Sequence, residues 1–381
     1  MKIQKLIINN FRQFSKKEIE FDGKWTIITA PNTRGKSTII EALYMLADGK
    51  SPWTNSSTNI IRLTSKNQKQ NENTYTKLTQ KFCRIEAEIE TDDEIESISI
   101  VLENNHHSTT KQFTHKDKKV SLNKFIQIFH TVLFSPDLID LLMFEPRQRR
   151  EYLNDQISQL NPDYRPILNN YQRVLRQRNS LLKYLSRQRH NGSANHPNSI
   201  KFWTEQLLEL GAQITLARLE FINKLNSTEQ QLYQAQVAYE PSIKLDDIEE
   251  LANKSYIKDV FKKQITNSKS KELNIGVTLV GPHRDDWYLD SSGQNLNIHG
   301  SRGEKRLAIA DIIFKMNLLL GHELEQPPII LLDDVASELD KDNTLLLFNE
   351  KISKEQQVVI TTTDIKSIPP NARKISQIIE L

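Results

Sequence analysis

Trp25-Thr26-Ile27-Ile28-Thr29 runs directly into Ala30-Pro31-Asn32-Thr33-Arg34-Gly35-Lys36-Ser37, and then into Thr38-Ile39-Ile40-Glu41-Ala42-Leu43-Tyr44-Met45-Leu46. The first five residues predict a compact buried strand, and the last nine a helix that stops near Gly49. Between them stands the pattern of a phosphate loop, with Ala30 at the first glycine position. The chemistry needs this layout. Backbone N–H groups at a helix start point at a phosphate and carry the positive end of the helix dipole. Gly35 lets the chain wrap closely, Lys36 reaches the β and γ oxygens, and the Ser37 hydroxyl ligates Mg²⁺. The nucleotide-binding candidates are therefore Ala30, Pro31, Asn32, Thr33, Arg34, Gly35, Lys36, Ser37 and Thr38.

A second apolar run, Ile329-Ile330-Leu331-Leu332, ends in Asp333-Asp334. Ligands of open α/β sheets bind at the carboxyl ends of strands. A strand ending there delivers Asp333 to the metal held by Ser37 and leaves Asp334 to orient or deprotonate an attacking water. The bland alternative is a buried strand followed by a helix-capping acid.

Glycine is scarce: 11 of 381 residues, five of them (276, 281, 293, 300 and 303) within 28 residues of one another. Gly281-Pro282-His283-Arg284-Asp285-Asp286 and Gly300-Ser301-Arg302-Gly303-Glu304 bracket a predicted hairpin, and a helix follows from Leu307. Ser301, Arg302, Gly303 and Glu304 thus stand at a second helix start able to meet an anion, or merely form a serine cap.

Alternation predicts antiparallel strands over 2–9 and 18–21, and a hairpin over 83–89 and 95–102. Residues 51–80, poor in apolar anchors, read as a long mobile surface loop. From Ser135-Pro136-Asp137 to about 270 the chain reads as helical, with strands resuming at 275–279, 329–332 and 358–361. The expected organisation is an α/β domain formed by 1–134 and 271–381, split by a helical lobe over 135–270. Residues 145–190 hold ten Lys+Arg against four acids. Arg147, Arg149, Arg150, Arg173, Arg176 and Arg178 are candidates to track the phosphates of single- or double-stranded DNA, or else the solvated face of amphipathic helices; the Leu and Tyr near Arg149-Arg150 and Arg176-Gln177-Arg178 also suit some of them to brace the two lobes.

Composition sets the outer limits. A net charge of +3, from 51 basic and 48 acidic residues, argues against an indiscriminate polycation. No apolar run reaches the ~18 residues of a membrane span, and the N-terminus breaks its apolar stretch too early for a signal peptide. A single cysteine, Cys83, excludes an internal disulfide and a cysteine-built zinc site, so a cytoplasmic setting is expected. His283-Arg284-Asp285 lacks the other parts of a kinase loop, and His106, His107 and His115 lack acidic partners at ligand spacing.

Read in order, Asn10-Phe11-Arg12, the phosphate loop, Ser135-Pro136-Asp137, Pro146-Arg147-Gln148-Arg149-Arg150, Gln177-Arg178-Asn179, Gly281 to Asp286, Ser301-Arg302-Gly303 and Asp333 to Asp340 make a resemblance spanning nearly the whole chain. The sequence resembles the RecF family of bacterial recombination mediators, ABC-type ATPase heads related to those of SMC and Rad50 proteins. The resemblance implies a P-loop ABC-type head with a mixed sheet, flanking helices and an inserted helical lobe. It implies ATP at Ala30–Ser37 and Mg²⁺ on Ser37 and Asp333. It further implies an ATP-dependent homodimer in which Ser301 to Glu304 of one copy meets the γ-phosphate held by the other, with Ser337–Asp340 across the interface. The dimer would close on DNA and, with RecR and RecO, help place RecA on strands coated by SSB, serving repair, replication and the SOS response. Departures from the family pattern are Ala30 and Glu304 in place of Gln; Thr361-Thr362-Thr363-Asp364, where transporter ATPases carry a switch His, resembles the family more than those transporters. Two alternatives accompany this reading: a related head ATPase serving a nuclease partner, and a nucleotide-binding scaffold that no longer hydrolyses ATP.

Overall fold

In the computed structural model the Trp25–Thr29 strand lies inside a five-stranded parallel sheet. Its order is Thr131–Phe134, Ile329–Asp333, Val358–Thr362, Trp25–Thr29, Ser376–Glu380. The structure describes all residues except 55, 66–76, 80–81, 92–93, 105–108, 191–197, 230–231, 246–252 and 353–354. Strands covered on both faces need continuous apolar runs. Ile27, Ile28, Ile330, Leu331, Leu332, Val358, Val359 and Ile360 meet that need and are fully buried.

A second, antiparallel sheet runs Phe14–Glu20, Lys2–Phe11, Phe82–Thr91, Glu94–Asn104, Thr109–His115, Lys118–Val120. Alternation along Phe82–Thr91 puts Cys83, Ile85, Ala87 and Ile89 on the buried face, as a half-solvated sheet demands. Burial, with the charge of Glu41 nearby, pushes the Cys83 thiol up to about 12. The Gln357 amide joins the sheets by imitating a strand: Ile3 N–H donates to its Oε1 at 2.7 Å, and its Nε2 donates to the Ile3 carbonyl at 2.9 Å.

The chain divides into two units. The first is Met1–Asp140 and Arg306–Leu381 with a short piece around Tyr233; it contains both sheets above. The second, Leu141–Glu229 and Gln234–Lys305, contains the helices Pro146–Leu160, Tyr164–His190, Asn198–Ser227 and Lys254–Ile275. It also holds a small sheet of Gln236–Glu240, Asp286–Ser291 and Gln294–Asn295. That sheet explains a difference from the sequence reading. Residues 271–305, expected with the α/β domain, belong to the helical unit because Asp286–Ser291 pairs with Gln236–Glu240.

Two further expectations change. No strand forms at 275–279: the Lys254–Ile275 helix runs through Ile275 and closes on Gly276, left-handed at φ 81, whose N–H donates to the Glu272 carbonyl. The stretch 51–80 is anchored at Ile60 and Ile61, both 1% exposed, with Ile61 bridged to Phe11. Residues 66–76 of that expected loop and the paired histidines His106 and His107 lie outside the described residues.

Candidate nucleotide site

The register of the parallel sheet assembles the site. Thr29 is level with Thr362, and Asp333 is level with Thr361, so the phosphate loop and the acid pair leave the same edge of the sheet. Ala30 to Gly35 connect the strand to the Lys36–Asp48 helix. Gly35 has φ +100, and a Cβ added there would lie 2.4 Å from Gln13 Nε2 and 2.5 Å from Phe14 Cζ. Only glycine fits. Thr33, also left-handed at φ 68, has its carbonyl held by Gln13 Nε2 at 3.3 Å. The Lys36 ammonium donates to the carbonyls of Ala30 at 2.7 Å and Pro31 at 3.2 Å.

The loop opens on a cleft of about 300 Å³. Its lining includes Asn32, Thr33, Gly35, Lys36, Ser37 and Thr38 from the loop, Asp333 and Asp334 from the acid strand, and also Gln13, Pro136, Asp137 and Thr363. Asp333 is buried and accepts hydrogen bonds from the hydroxyls of Thr361 and Ser37. Burial raises its pKa; the two hydroxyls oppose that shift, and the charges of Asp334 and Asp137 add to it. Asp334 is held left-handed at φ 51, its N–H donating to the Thr361 carbonyl at 3.1 Å. A non-glycine residue held there is sterically disfavoured and recurs at functional sites. The metal candidates thus supply only oxygens, one of them a carboxylate. That suits Mg²⁺, which takes one or two protein oxygens beside phosphates. Accordingly, the described residues hold no cage of three ligating side chains.

Two contributors were not identified from the sequence. Asp137, read as part of a helix start and of the quoted Ser135-Pro136-Asp137 group but not as a site residue, lies in the cleft because Thr131–Phe134 pairs with Ile329–Asp333. Arg12 grips the phosphate-loop helix through Glu41, its Nε donating at 2.7 Å to that carboxylate, which also accepts from Ser51 Oγ at 2.6 Å. The position of Arg12 in the quoted Asn10-Phe11-Arg12 group was the available signal.

The second glycine-rich stretch belongs to the other unit and forms a capping box at the Arg302–Glu323 helix. Glu304 N–H donates to Ser301 Oγ at 3.3 Å, and Ser301 N–H to the Glu304 carboxylate at 2.8 Å. All four residues from Ser301 to Glu304 are exposed. Glu304 in place of Gln is thereby explained locally, since either residue closes such a box.

Two DNA-contact candidates are overturned by burial. Arg149, 5% exposed, makes a two-pronged pair with Asp286 at 2.8 and 2.7 Å. Arg178, 3% exposed, holds Glu272 at 2.6 Å, Thr278 Oγ1 at 2.7 Å and Thr204 Oγ1 at 3.1 Å. Both are internal braces. Arg150 is half-buried, with Nη1 on the Asp285 carbonyl at 2.7 Å. Arg147, Arg173 and Arg176 are exposed. The motif Gly281–Asp286 is structural too: buried Asp285 accepts from Arg218 at 2.8 Å, from the Tyr239 hydroxyl and from Ser242 N–H at 2.8 Å. His115 is paired with Glu96 at 2.6 Å.

Comparisons with known proteins agree with this architecture. The RecF/RecN/SMC N terminal domain model matches residues 2–379. DNA replication and repair protein RecF of Bacillus cereus (strain G9842) is 30% identical over 389 residues, covering 100% of this chain and 97% of that protein. Its counterpart in Bacillus thuringiensis (strain Al Hakam) is 29% identical over the same length. A solved structure of the recombination mediator protein RecF-ATPrS in the RecFOR pathway superposes with a TM-score of 0.82 at 25% identity, over 97% of this chain and 94% of that one. The corresponding RecF-ATP structure gives 0.81 at 25% identity, over 96% and 93%. With its sheet order, its phosphate loop and a match along its whole length, the chain belongs to the RecF family, within the RecF/RecN/SMC group, and has the ABC-type ATPase head fold.

Proposed function

We propose that the chain is an ATP-switched DNA clamp of recombinational repair. One observation carries this: Lys36, Ser37 and Asp333 line a single cleft beside a loop whose backbone admits only glycine at position 35. RecF relatives have been solved with ATP, which supports ATP as the ligand here.

Ala30 to Ser37 wrap the phosphates, with Lys36 exchanging its carbonyl partners for phosphate oxygens. Ser37 and Asp333 hold Mg²⁺, which when bound neutralises charge on the β and γ oxygens. Asp334, fixed by its left-handed backbone, is positioned to orient a water, and hydrolysis serves slow release. In the dimer, Ser301 to Glu304 of the partner cap the γ-phosphate, and Ser337 to Asp340 lie across the join. RecR, RecO, RecA and SSB act alongside it in this reading, in the cytoplasm; among the described residues no helix is long and apolar enough to cross a membrane.

For DNA we infer the exposed face of the Tyr164–His190 helix; the helix as a whole has seven Lys+Arg and no acid, and buried Arg178 is not among those on this face. Arg173 and Arg176 continue along that face into Lys183 and Arg187, all exposed. With Arg147 these track backbone phosphates rather than base edges.

The test is ATP-dependent dimerisation by analytical ultracentrifugation, with DNA affinity, for wild type, Lys36→Ala and Asp333→Asn. Loss of the nucleotide response in both variants is expected; wild-type DNA affinity indifferent to MgATP refutes the clamp. The scaffold reading draws on Ala30 and on Glu304, whose carboxylate takes up the Ser301 N–H that this reading assigns to the γ-phosphate. Turnover equal in wild type and Asp334→Asn would favour it.

A further inference from the structure

Within the helical unit a groove of about 360 Å³ lies among the Tyr164–His190, Asn198–Ser227 and Lys254–Ile275 helices. Its floor is aliphatic: Leu182, Leu208, Ile265 and Leu273, with half-buried Ile200 against Leu182 and Leu273. Its rim is basic. Lys201, Lys262 and Lys269 are exposed, and none has an ion-pair partner among the described residues. The carboxylates on the lining are Glu205 and the buried Glu272, and the latter is already neutralised by Arg178.

The contrast along one helix is informative. Lys254 and Lys258, in the first turns of Lys254–Ile275, are both taken up by Glu209 at 2.7 Å. Those hydrogen bonds hold the Glu209 carboxyl down at about 2. Lys262 and Lys269, further along the same helix, have no such acid among the described residues and instead border the groove, where half-buried Ile200 is the accessible aliphatic side chain over the packed leucines. Three unmatched cations around an apolar trough suit a ligand that is anionic and greasy together.

Such a ligand is a peptide rather than a nucleic acid. Single strands bind through bases stacked on aromatic rings, and among the described residues no aromatic side chain lines this groove. The stretch from Ile200 to Leu208 spans about 12 Å of helix, room for about four residues of extended chain.

We propose that this groove docks a short acidic segment of another protein, with one bulky apolar side chain on the aliphatic floor and flanking carboxylates on Lys201, Lys262 and Lys269. The site is independent of nucleotide, so it stands or falls apart from the clamp. Few contacts and an exposed rim set the affinity at a Kd of about 10–100 µM, weakened by salt.

The experiment selects a displayed library of random peptides, about twelve residues long, against the full chain without ATP. The best peptide is then measured by fluorescence anisotropy. The expected consensus is a Leu, Ile, Phe or Trp between Asp or Glu residues. Binding should weaken by about 10-fold or more in the Lys262→Glu, Lys269→Glu double variant, and when the peptide's apolar residue becomes Ala. Both lysines are exposed, so the variant should keep the wild-type melting temperature. The proposal is overturned if no peptide is enriched, if the winners lack acids, if the charge reversals leave binding unchanged, or if a single-stranded oligonucleotide displaces the peptide.

Discussion

Thr361, on the strand beside the acid strand, donates its hydroxyl to the buried carboxylate of Asp333. Its hydroxyl holds one carboxylate oxygen in place and favours the ionised form, against the burial that raises the Asp333 pKa. Thr361→Val keeps the shape and removes the donor. Mg²⁺-dependent nucleotide affinity should fall by about 10-fold, the usual scale for losing a hydrogen bond to a metal ligand. Affinity without Mg²⁺ should change little. The loss should be larger at pH 6 than at pH 8, because a carboxyl with a higher pKa loses metal to protons first. Titration with a fluorescent ATP analogue, with and without Mg²⁺, decides it; equal losses in both conditions contradict the role.

Neighbouring arginines on one helix should separate stability from DNA binding. Arg178→Ala strands Glu272 without its cation in the interior and should destabilise by about 3–5 kcal/mol. Arg176→Ala removes an exposed cation and should stay within about 0.5 kcal/mol of wild type. It should lower DNA affinity and reduce the slope of log K against log salt by about 1. Urea melts and salt-dependent anisotropy read the two effects. Equal stability loss in both variants is the contrary result.

His283 should make the helical unit sensitive to acid. Burial lowers its pKa from 6.5 to about 4, and the ring is locked between Tyr171 at 2.7 Å and the Thr278 carbonyl at 3.3 Å. A carbonyl only accepts, so Nε2 carries the proton and Nδ1 accepts from the Tyr171 hydroxyl: a neutral ring. Because the folded value is depressed, the unfolded chain binds the proton first on acidification. Stability is full above pH 6.5 and is lost progressively down to about 4, by an amount of order 2–3 kcal/mol. His283→Gln should flatten this part of the pH–stability curve. An unchanged curve counts against the assignment.

Glu304→Gln keeps the reciprocal cap and removes a negative charge from the helix start. Dimerisation in MgATPγS should tighten several-fold, by relieving repulsion of about 1 kcal/mol or less at this exposed position. Without nucleotide the variant should sediment like the wild type. Tightening in both conditions points instead to a generic surface effect.

The strand, loop and helix from Trp25 to Leu46 were legible in the sequence because each obeys a local rule: buried run, glycine-requiring turn, helical period. Ile329–Asp333 was legible for the same reason. Gln236–Glu240 was not, since its character comes from pairing with Asp286–Ser291, nearly fifty residues on. Asp137 reaches the cleft only through pairing of Thr131–Phe134 with a strand some two hundred residues away. The Leu and Tyr beside Arg149 and Arg178 suited them to a bracing role, but their acids, Asp286 and Glu272, come from distant segments that only folding brings close.

Cys83 has a practical consequence. Fully enclosed, with a thiol that ionises only near pH 12, it offers almost no thiolate to maleimide reagents in the native protein. A cysteine placed at an exposed position away from the phosphate loop, the Ser301–Glu304 stretch and the basic helix face would therefore be the one site a dye attaches to, with no background to engineer away. Fluorescence transfer between two labelled copies can then test, in real time, whether nucleotide brings them together.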